Sequence, residues 1–299
     1  MVIVKLLAHS INPRGVDITS WELEYNKSIH AELMTHRVFS RNAGSSRAIP
    51  LPKALSSVEK NPALPVIWGG HKPGMSPGEE LPKGELDYAK ECDNNARYHS
   101  MKAAELADSI GLHKSITNRW IDPWAHIKVI VTTTGPNLNN FFQLRCHPAA
   151  EPIFQCLAYK MLELYDISNP TPLQWGDWHM PYHDRMPNNL TIEERLKLAT
   201  ARACWVSYNN PGKTEFNIED AFARHDSCIA LGHWSPLEHC AQATKDHCYP
   251  LSNFDYGEIL SGWLQYRKTF PEENRIAFFD RRALLAERPA FTLDPNFVM

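Results

Sequence analysis

Much that would narrow the field is missing from this chain of 299 residues. It has no apolar run as long as a bilayer crossing requires, which argues against a helical membrane span. Its seven cysteines (92, 146, 156, 204, 228, 240 and 248) include no Cys-x-x-Cys pair, and their odd number and wide scatter read as reduced thiols of a cytosolic protein. Neither sign of charge dominates: 31 basic against 34 acidic side chains leave a net charge of −3, which argues against broad binding to nucleic acid or anionic membranes but leaves room for a local basic cleft. No low-complexity tract and no break in composition marks a domain boundary, so a single domain over residues 1–299 is expected. Met1-Val2-Ile3-Val4-Lys5 leads straight into a strand rather than a signal peptide, and a cytoplasmic location is the expectation. The 43% hydrophobic and 22% charged fractions are those of a soluble globular protein that can bury a core.

The pattern of elements predicts an α/β (α+β) fold, a mixed sheet flanked by several helices. Residues 2–8 and 17–25 are apolar or alternating and flank Asn12-Pro13-Arg14-Gly15, a hairpin signal. Residues 48–82 are dense in proline and glycine and read as a long loop or lid. Helices are expected over about 85–110 and 115–120, a β-branched strand over 125–132, and a helix over 137–165 that Pro148 and Pro152 should kink or break. After a proline- and aromatic-rich connector at 167–190, Thr191 and Glu194 have capping-box spacing for a helix to about Ser207. Another helix near 218–231 ends at Gly232. An amphipathic segment from Ile259 to Lys268 precedes a polar tail expected to wrap the surface.

Chemistry-bearing residues concentrate at Thr35-His36-Arg37-Val38-Phe39-Ser40-Arg41-Asn42-Ala43-Gly44-Ser45-Ser46-Arg47. The run from Ile29 to about Arg41 has helical spacing, and the Ala-Gly-Ser-Ser that follows cannot sustain a helix. Three arginines, a histidine and three serines thus fall at and just beyond a helix end. There, small residues let backbone N–H groups approach an anion while guanidinium groups donate in pairs. One arginine in such a place would merely complement the helix dipole; the cluster points to anion binding.

This stretch resembles the signature of flavin-dependent thymidylate synthases: Arg-His-Arg, seven residues, Ser, and an Arg two further on, here Thr35-His36-Arg37, Ser45 and Arg47. A second block, Asn137 to Arg145, resembles the family's helix facing flavin and nucleotide, matching at Asn140, Leu144 and Arg145, with Arg119 where the family carries a phosphate-contacting Arg. A third, His233-Trp234-Ser235-Pro236-Leu237-Glu238-His239, matches the family's His-x-Ser/Thr-Pro-x-Glu-His, with Arg202-Ala203-Cys204 upstream as the usual preceding helix. In the family the third block precedes the first. Here it follows near the other end of the chain, so the sequence reads as circularly permuted or partly duplicated, with Trp263 to Lys268 a candidate worn copy of the first helix. Departures from the family pattern are Thr35 and Pro136 for Arg, Glu32 and Glu151 for Gln, and Ala43 for an acidic residue.

The resemblance implies methylation of dUMP at C5 to give dTMP, with FAD, NADPH as reductant and methylenetetrahydrofolate as carbon donor. It assigns Arg37, Ser45, Ser46, Arg47, Arg119 and Arg145 to the nucleotide and His36, Asn140, Leu144, His233, Ser235 and Glu238 to FAD. Arg145 and His233 are the expected catalytic residues, no metal is expected, and the implied assembly is a homo-oligomer, tetramer or dimer, with shared active sites. The departures leave three alternatives open: transfer of a hydroxymethyl group, a cytosine nucleotide as substrate, or a lapsed homologue that only binds. Two rival sites lie in the same residues. Arg145-Cys146-His147-Pro148 offers a Cys-His nucleophile without an orienting partner, and His233, His239, Cys240, His247 and Cys248 offer zinc ligands at a spacing no common module uses.

Overall fold

The computed structural model describes residues 2–208, 217–245 and 261–274 together with Arg282. The chain opens with β1 (Ile3–Ile11) and β2 (Asp17–Asn26), paired antiparallel. Asn12 locks the turn between them by accepting from the backbone N–H groups of Arg14 (3.0 Å) and Val16 (3.2 Å), and Gly15 supplies the positive φ of 81° that closes it. There follow α1 (His30–Leu33), β3 (Ser40–Ala43), α2 (Leu51–Lys60), α3 (Lys83–Ser109), α4 (Lys114–Trp120), β4 (His126–Thr134), α5 (Gly135–Arg145) and α6 (Pro152–Asp166). The remaining elements are β5 (Thr171–Pro172), β6 (Trp178–His179), α7 (Ile192–Tyr208), α8 (Ile218–Ala230), β7 (Ala241–Ala243) and β8 (Trp263–Gln265).

Five strands form a mixed sheet in the order β3-β4-β2-β1-β5, in which only the β1–β5 pair is parallel; β6, β7 and β8 form a small antiparallel sheet. Alternation along β2 and β4 sorts the two faces of the large sheet. Trp21, Leu23, Tyr25, Val129 and Val131 point to one side and pack with Leu138 and Phe141 of α5 and Phe154, Leu157 and Met161 of α6. The opposite face presents Ile130 to Ala203 and Val206 of α7, and presents Ser20 and Thr132 to His179 and His239.

Three expectations need correction. The helix predicted from Ile29 to about Arg41 is a single turn, α1, after which the chain enters β3 at the sheet edge. Strand pairing with β4 outcompetes the local helical pattern. Arg41, held in β3, turns its guanidinium back onto the helix end, where Nη1 donates to the carbonyls of Met34 (3.0 Å) and His36 (2.7 Å). The stretch 48–82 is not loop throughout. α2 lies inside it, with Pro52 in its first turn, where a missing N–H costs nothing. The described part of the Ile259–Lys268 segment is strand β8 followed by a 3-10 turn, so Trp263 to Lys268 does not repeat the α1 region as a helix. The expected surface tail lies outside the described residues.

The predicted break between α5 and α6 is present, with Pro136 and Pro152 in the first turn of their helices. So is the capping box: Thr191 N–H donates to Glu194 Oε2 at 2.8 Å, and Glu194 N–H donates to Thr191 Oγ1 at 3.3 Å. Gly232, at φ 68°, closes α8 and turns the chain into the His233–His239 block.

Candidate functional site

The chain leaves the sheet edge at Gly44, whose N–H donates to Lys128 O at 2.8 Å. A Cβ on Gly44 would lie only 3.4 Å from Val206 O and 3.5 Å from Lys128 O, so the backbone passes close to both β4 and α7. Ser45 is extended, and Ser46–Ala48 form a 3-10 turn. The buried amide of Asn118 fixes that turn by donating to Ser46 O (2.7 Å) and Ile49 O (2.9 Å). On the facing side, the 3-10 turn Ser235–Glu238 follows the end of α8, and Ser235 Oγ donates to Asn42 Oδ1 at 3.3 Å. Asn42 in turn donates to Ala203 O of α7 at 2.7 Å. Two blocks far apart in sequence are thereby hydrogen-bonded to each other.

A cleft of about 600 Å³ opens where they meet. Ser45 and Arg47 line one wall, His233 and Ser235 another, and Asn42, His113, Ser115, Arg224 and Ser227 add to its polar lining. Among the described residues no carboxylate lines it. In a protein of net charge −3, a cleft with two guanidinium groups, two imidazoles and several hydroxyls is a local concentration of donors suited to an oxyanion. His113, Ser115 and Arg224 escape the sequence reading. His113 reads only as the N-cap of α4, accepting from Ser115 N–H at 3.2 Å, and Arg224 only as one polar position on an amphipathic helix. Ser46 turns away and lines a neighbouring cavity with Gly44 and Lys128, while Arg119, one turn beyond Ser115, is exposed outside the cleft.

Arg145 belongs to a second cluster. Its Nε donates to His36 Nε2 (3.0 Å), Nη1 to Glu32 Oε2 (2.9 Å) and Nη2 to Thr35 Oγ1 (3.3 Å), and its guanidinium lies 4.4 Å from the centre of the Phe154 ring. Its carboxylate partner is thus Glu32; Glu151 instead caps α6, accepting from Phe154 N–H at 2.8 Å. His36 is buried against Phe39, Phe141 and Phe154. Burial, and then the charges of Arg145 and Arg41, push its pKa down to about 4, so it accepts from Arg145 as a neutral ring. Asn140 and Leu144 are exposed on α5, and Arg37 is exposed beyond α1.

The six residues that the resemblance assigns to FAD do not enclose one cavity within a chain. His233 and Ser235 are at the cleft, and Asn140 and Leu144 are exposed on a different helix. His36 is engaged by Arg145, and the buried Glu238 is ion-paired with Arg267. Cys146 packs against the main core, which raises its thiol pKa, and His147 Nδ1 accepts from Ala149 N–H at 3.1 Å rather than meeting the thiol. Among the described residues no group of three or more His, Cys, Asp or Glu side chains is placed to hold a metal ion; His247 and Cys248 lie outside them. No helix among the described residues is long and apolar enough to cross a membrane.

No family model matches the chain, and no curated protein matches it. Solved structures similar to it include two of the UMP/dUMP methylase PolB from Streptomyces cacaoi, one bound with 5-Br UMP and one with 5-Br dUMP. They share 14% and 12% identity with it, at TM-scores of 0.47 and 0.46, and each match covers 55% of this chain and 88% and 90% of theirs. A likeness at that level assigns neither family nor activity to this chain.

Proposed function

We propose that the cleft binds a pyrimidine deoxynucleotide by its phosphate and that the protein is an enzyme modifying C5 of the base. The observation that carries this reading is the cleft in which Ser45 and Arg47 face His233 and Ser235, with Arg224 and His113 beside them and no carboxylate among its described lining residues. Those residues come from two of the three blocks that resemble flavin-dependent thymidylate synthases, and the cleft's donors suit a phosphate monoester. In this reading Arg47 and Arg224 neutralise the phosphate in pairs of charge-assisted hydrogen bonds, the Ser45 and Ser235 hydroxyls fix its orientation, and His233 donates toward the base. Arg37 and Arg119, both exposed, would reach the nucleotide from outside the cleft.

The proposal extends to methylation of dUMP with methylenetetrahydrofolate as carbon donor, and to FAD reduced by NADPH as the source of hydride. Because the FAD-assigned residues of one chain are spread over separate surfaces, flavin contacts would be divided between copies in a homo-oligomer. A second reading, transfer of a hydroxymethyl group or use of a cytosine nucleotide, draws on the Glu32–Arg145 ion pair of 2.9 Å. It occupies a guanidinium fork that would otherwise be free to face a pyrimidine carbonyl.

The test is titration of the full chain with dUMP and dCMP, followed by mass spectrometry of the nucleotide after incubation with methylenetetrahydrofolate, FAD and NADPH. A gain of CH2 on dUMP, a methyl replacing the C5 hydrogen, supports methylation, and a gain of CH2O on either nucleotide, or any product from dCMP, supports the second reading. Saturable binding without a product makes this a binding-only homologue. Absence of saturable binding to either nucleotide overturns the proposal.

A further inference from the structure

The notable sulfur contact in the cleft is between helices. Cys204 on α7 and Cys228 on α8 have their Sγ atoms 3.7 Å apart, within hydrogen-bond reach of each other. Both are buried, both line the cleft, and Arg224 stands one helical turn before Cys228 on α8. The described cysteines at 92, 146, 156 and 240 make no comparable sulfur–sulfur hydrogen bond among the described residues.

We propose that Cys204 and Cys228 are a peroxide-oxidised thiol pair that forms a reversible disulfide across the cleft between α7 and α8. Two features besides proximity favour it. The hydrogen bond between the two thiols splits the pair. The hydrogen bond from Cys204 and then the Arg224 charge outweigh burial and hold the Cys228 thiol below its ordinary pKa, while the same hydrogen bond and burial push Cys204 up. Cys228 is therefore the attacking thiolate and Cys204 the resolving thiol. The cleft also gives a small neutral oxidant a route to sulfurs that are otherwise covered.

The chemistry balances with hydrogen peroxide as oxidant. The Cys228 thiolate attacks one peroxide oxygen, the O–O bond breaks, and the departing hydroxide takes a proton to become water, leaving a sulfenic acid on Cys228. Cys204 sulfur then displaces the sulfenic hydroxyl, which leaves as a second water carrying the Cys204 proton, and the S–S bond forms. Two electrons pass from the two thiols to one peroxide. A small dithiol such as dithiothreitol reverses the step, becoming a cyclic disulfide as it returns two electrons and two protons. The bond fixes the α8 wall of the cleft against α7, and the inference stands whether or not the cleft binds a nucleotide.

The test uses the full chain, pre-reduced, treated with hydrogen peroxide, blocked with N-ethylmaleimide and digested without reduction. The expected result is a Cys204–Cys228 linked peptide, loss of two titratable thiols per chain, and their return with dithiothreitol. In the Cys228→Ser variant the oxidation of Cys204 should slow by about tenfold or more. Separate sulfinic acids on the two cysteines, or a pair that stays reduced while exposed Cys92 is oxidised, would overturn the proposal. Because the wild-type peptide map needs no variant, a misfolded Cys228→Ser would not protect it.

Discussion

Among single residues, Arg47 and Arg145 make opposite predictions. Arg47 is exposed, forms no ion pair among the described residues, and lines the cleft, so its replacement removes a ligand contact and little else. Arg47→Gln should weaken dUMP binding about tenfold, the effect of losing a partly solvated charge-assisted hydrogen bond, with an unchanged melting temperature. Isothermal titration against wild type reads this, and an unchanged Kd would remove Arg47 from the site. Arg145 is tied into its own chain through His36, Glu32, Thr35 and the Phe154 ring. Arg145→Lys keeps the charge and loses the planar fork, so stability to urea should fall by about 1–2 kcal/mol. If Arg145 also bridges flavin and pyrimidine, nucleotide-dependent flavin oxidation should drop with it, by about 30-fold or more. A single-turnover rate within threefold of wild type would leave Arg145 a purely structural role.

At the level of elements, the joint between β4 and α5 is tightly packed. Gly135 begins α5 directly against the Asp17 carboxylate, in a space that a Cβ would invade. That carboxylate cannot simply swing aside, because it accepts from Tyr165 OH (2.8 Å) and faces His9 Nε2 at 3.1 Å. Gly135→Ala, helpful to most helix N-terminal turns, should here cost about 1–3 kcal/mol of stability through overpacking, read as a lower midpoint in urea. A variant as stable as wild type would mean that Asp17 can leave its partners freely. The two sheets are joined by a different device, a chain of buried polar groups. His179 Nδ1 meets Ser10 Oγ at 2.9 Å and its Nε2 meets Ser20 Oγ at 2.9 Å; Ser20 meets Thr132 at 2.6 Å, and Thr132 meets His239 Nδ1 at 3.0 Å.

For the molecule as a whole, that chain sets a pH dependence. Burial pushes both His179 and His239 down to about 3, and burial with two neighbouring arginines takes His36 to about 4. A histidine whose folded pKa lies below its unfolded value of about 6.5 is neutral in the fold and takes up a proton on unfolding, so stability falls as pH falls below 6.5. Each fully buried histidine should contribute a slope of up to roughly 1.4 kcal/mol per pH unit between about 6 and 4. Asp17 and Glu22, lowered by His9 and Tyr165 and by Lys5 respectively despite opposing burial, add to the loss in the carboxylate range below that. The urea midpoint should therefore be nearly flat from pH 8 to 7 and drop between pH 6 and 4. A flat profile to pH 4 would mean that these rings are protonated in the folded state.

Local pattern was enough for the elements whose stability is local. The Asn12–Gly15 turn, the Thr191–Glu194 box, the proline break between α5 and α6 and the glycine end of α8 each depend on a few adjacent residues, and each was legible in the sequence. The stretch from Met34 to Ala43 was not. Its helical spacing is real, but the backbone partners that decide the matter belong to β4, distant in sequence. The candidate site divides in the same way. Motif spacing singled out Ser45, Arg47, His233 and Ser235, because residue types in order are a property of the sequence. The partners of those residues are not: His113 and Arg224 reach the cleft only when α4 packs on the Ser46–Ala48 turn and α8 packs on α7, and Glu32 meets Arg145 only when the packed chain brings α1 to the end of α5. A hydrogen bond depends on where two groups lie in space, and only the packed chain sets that distance.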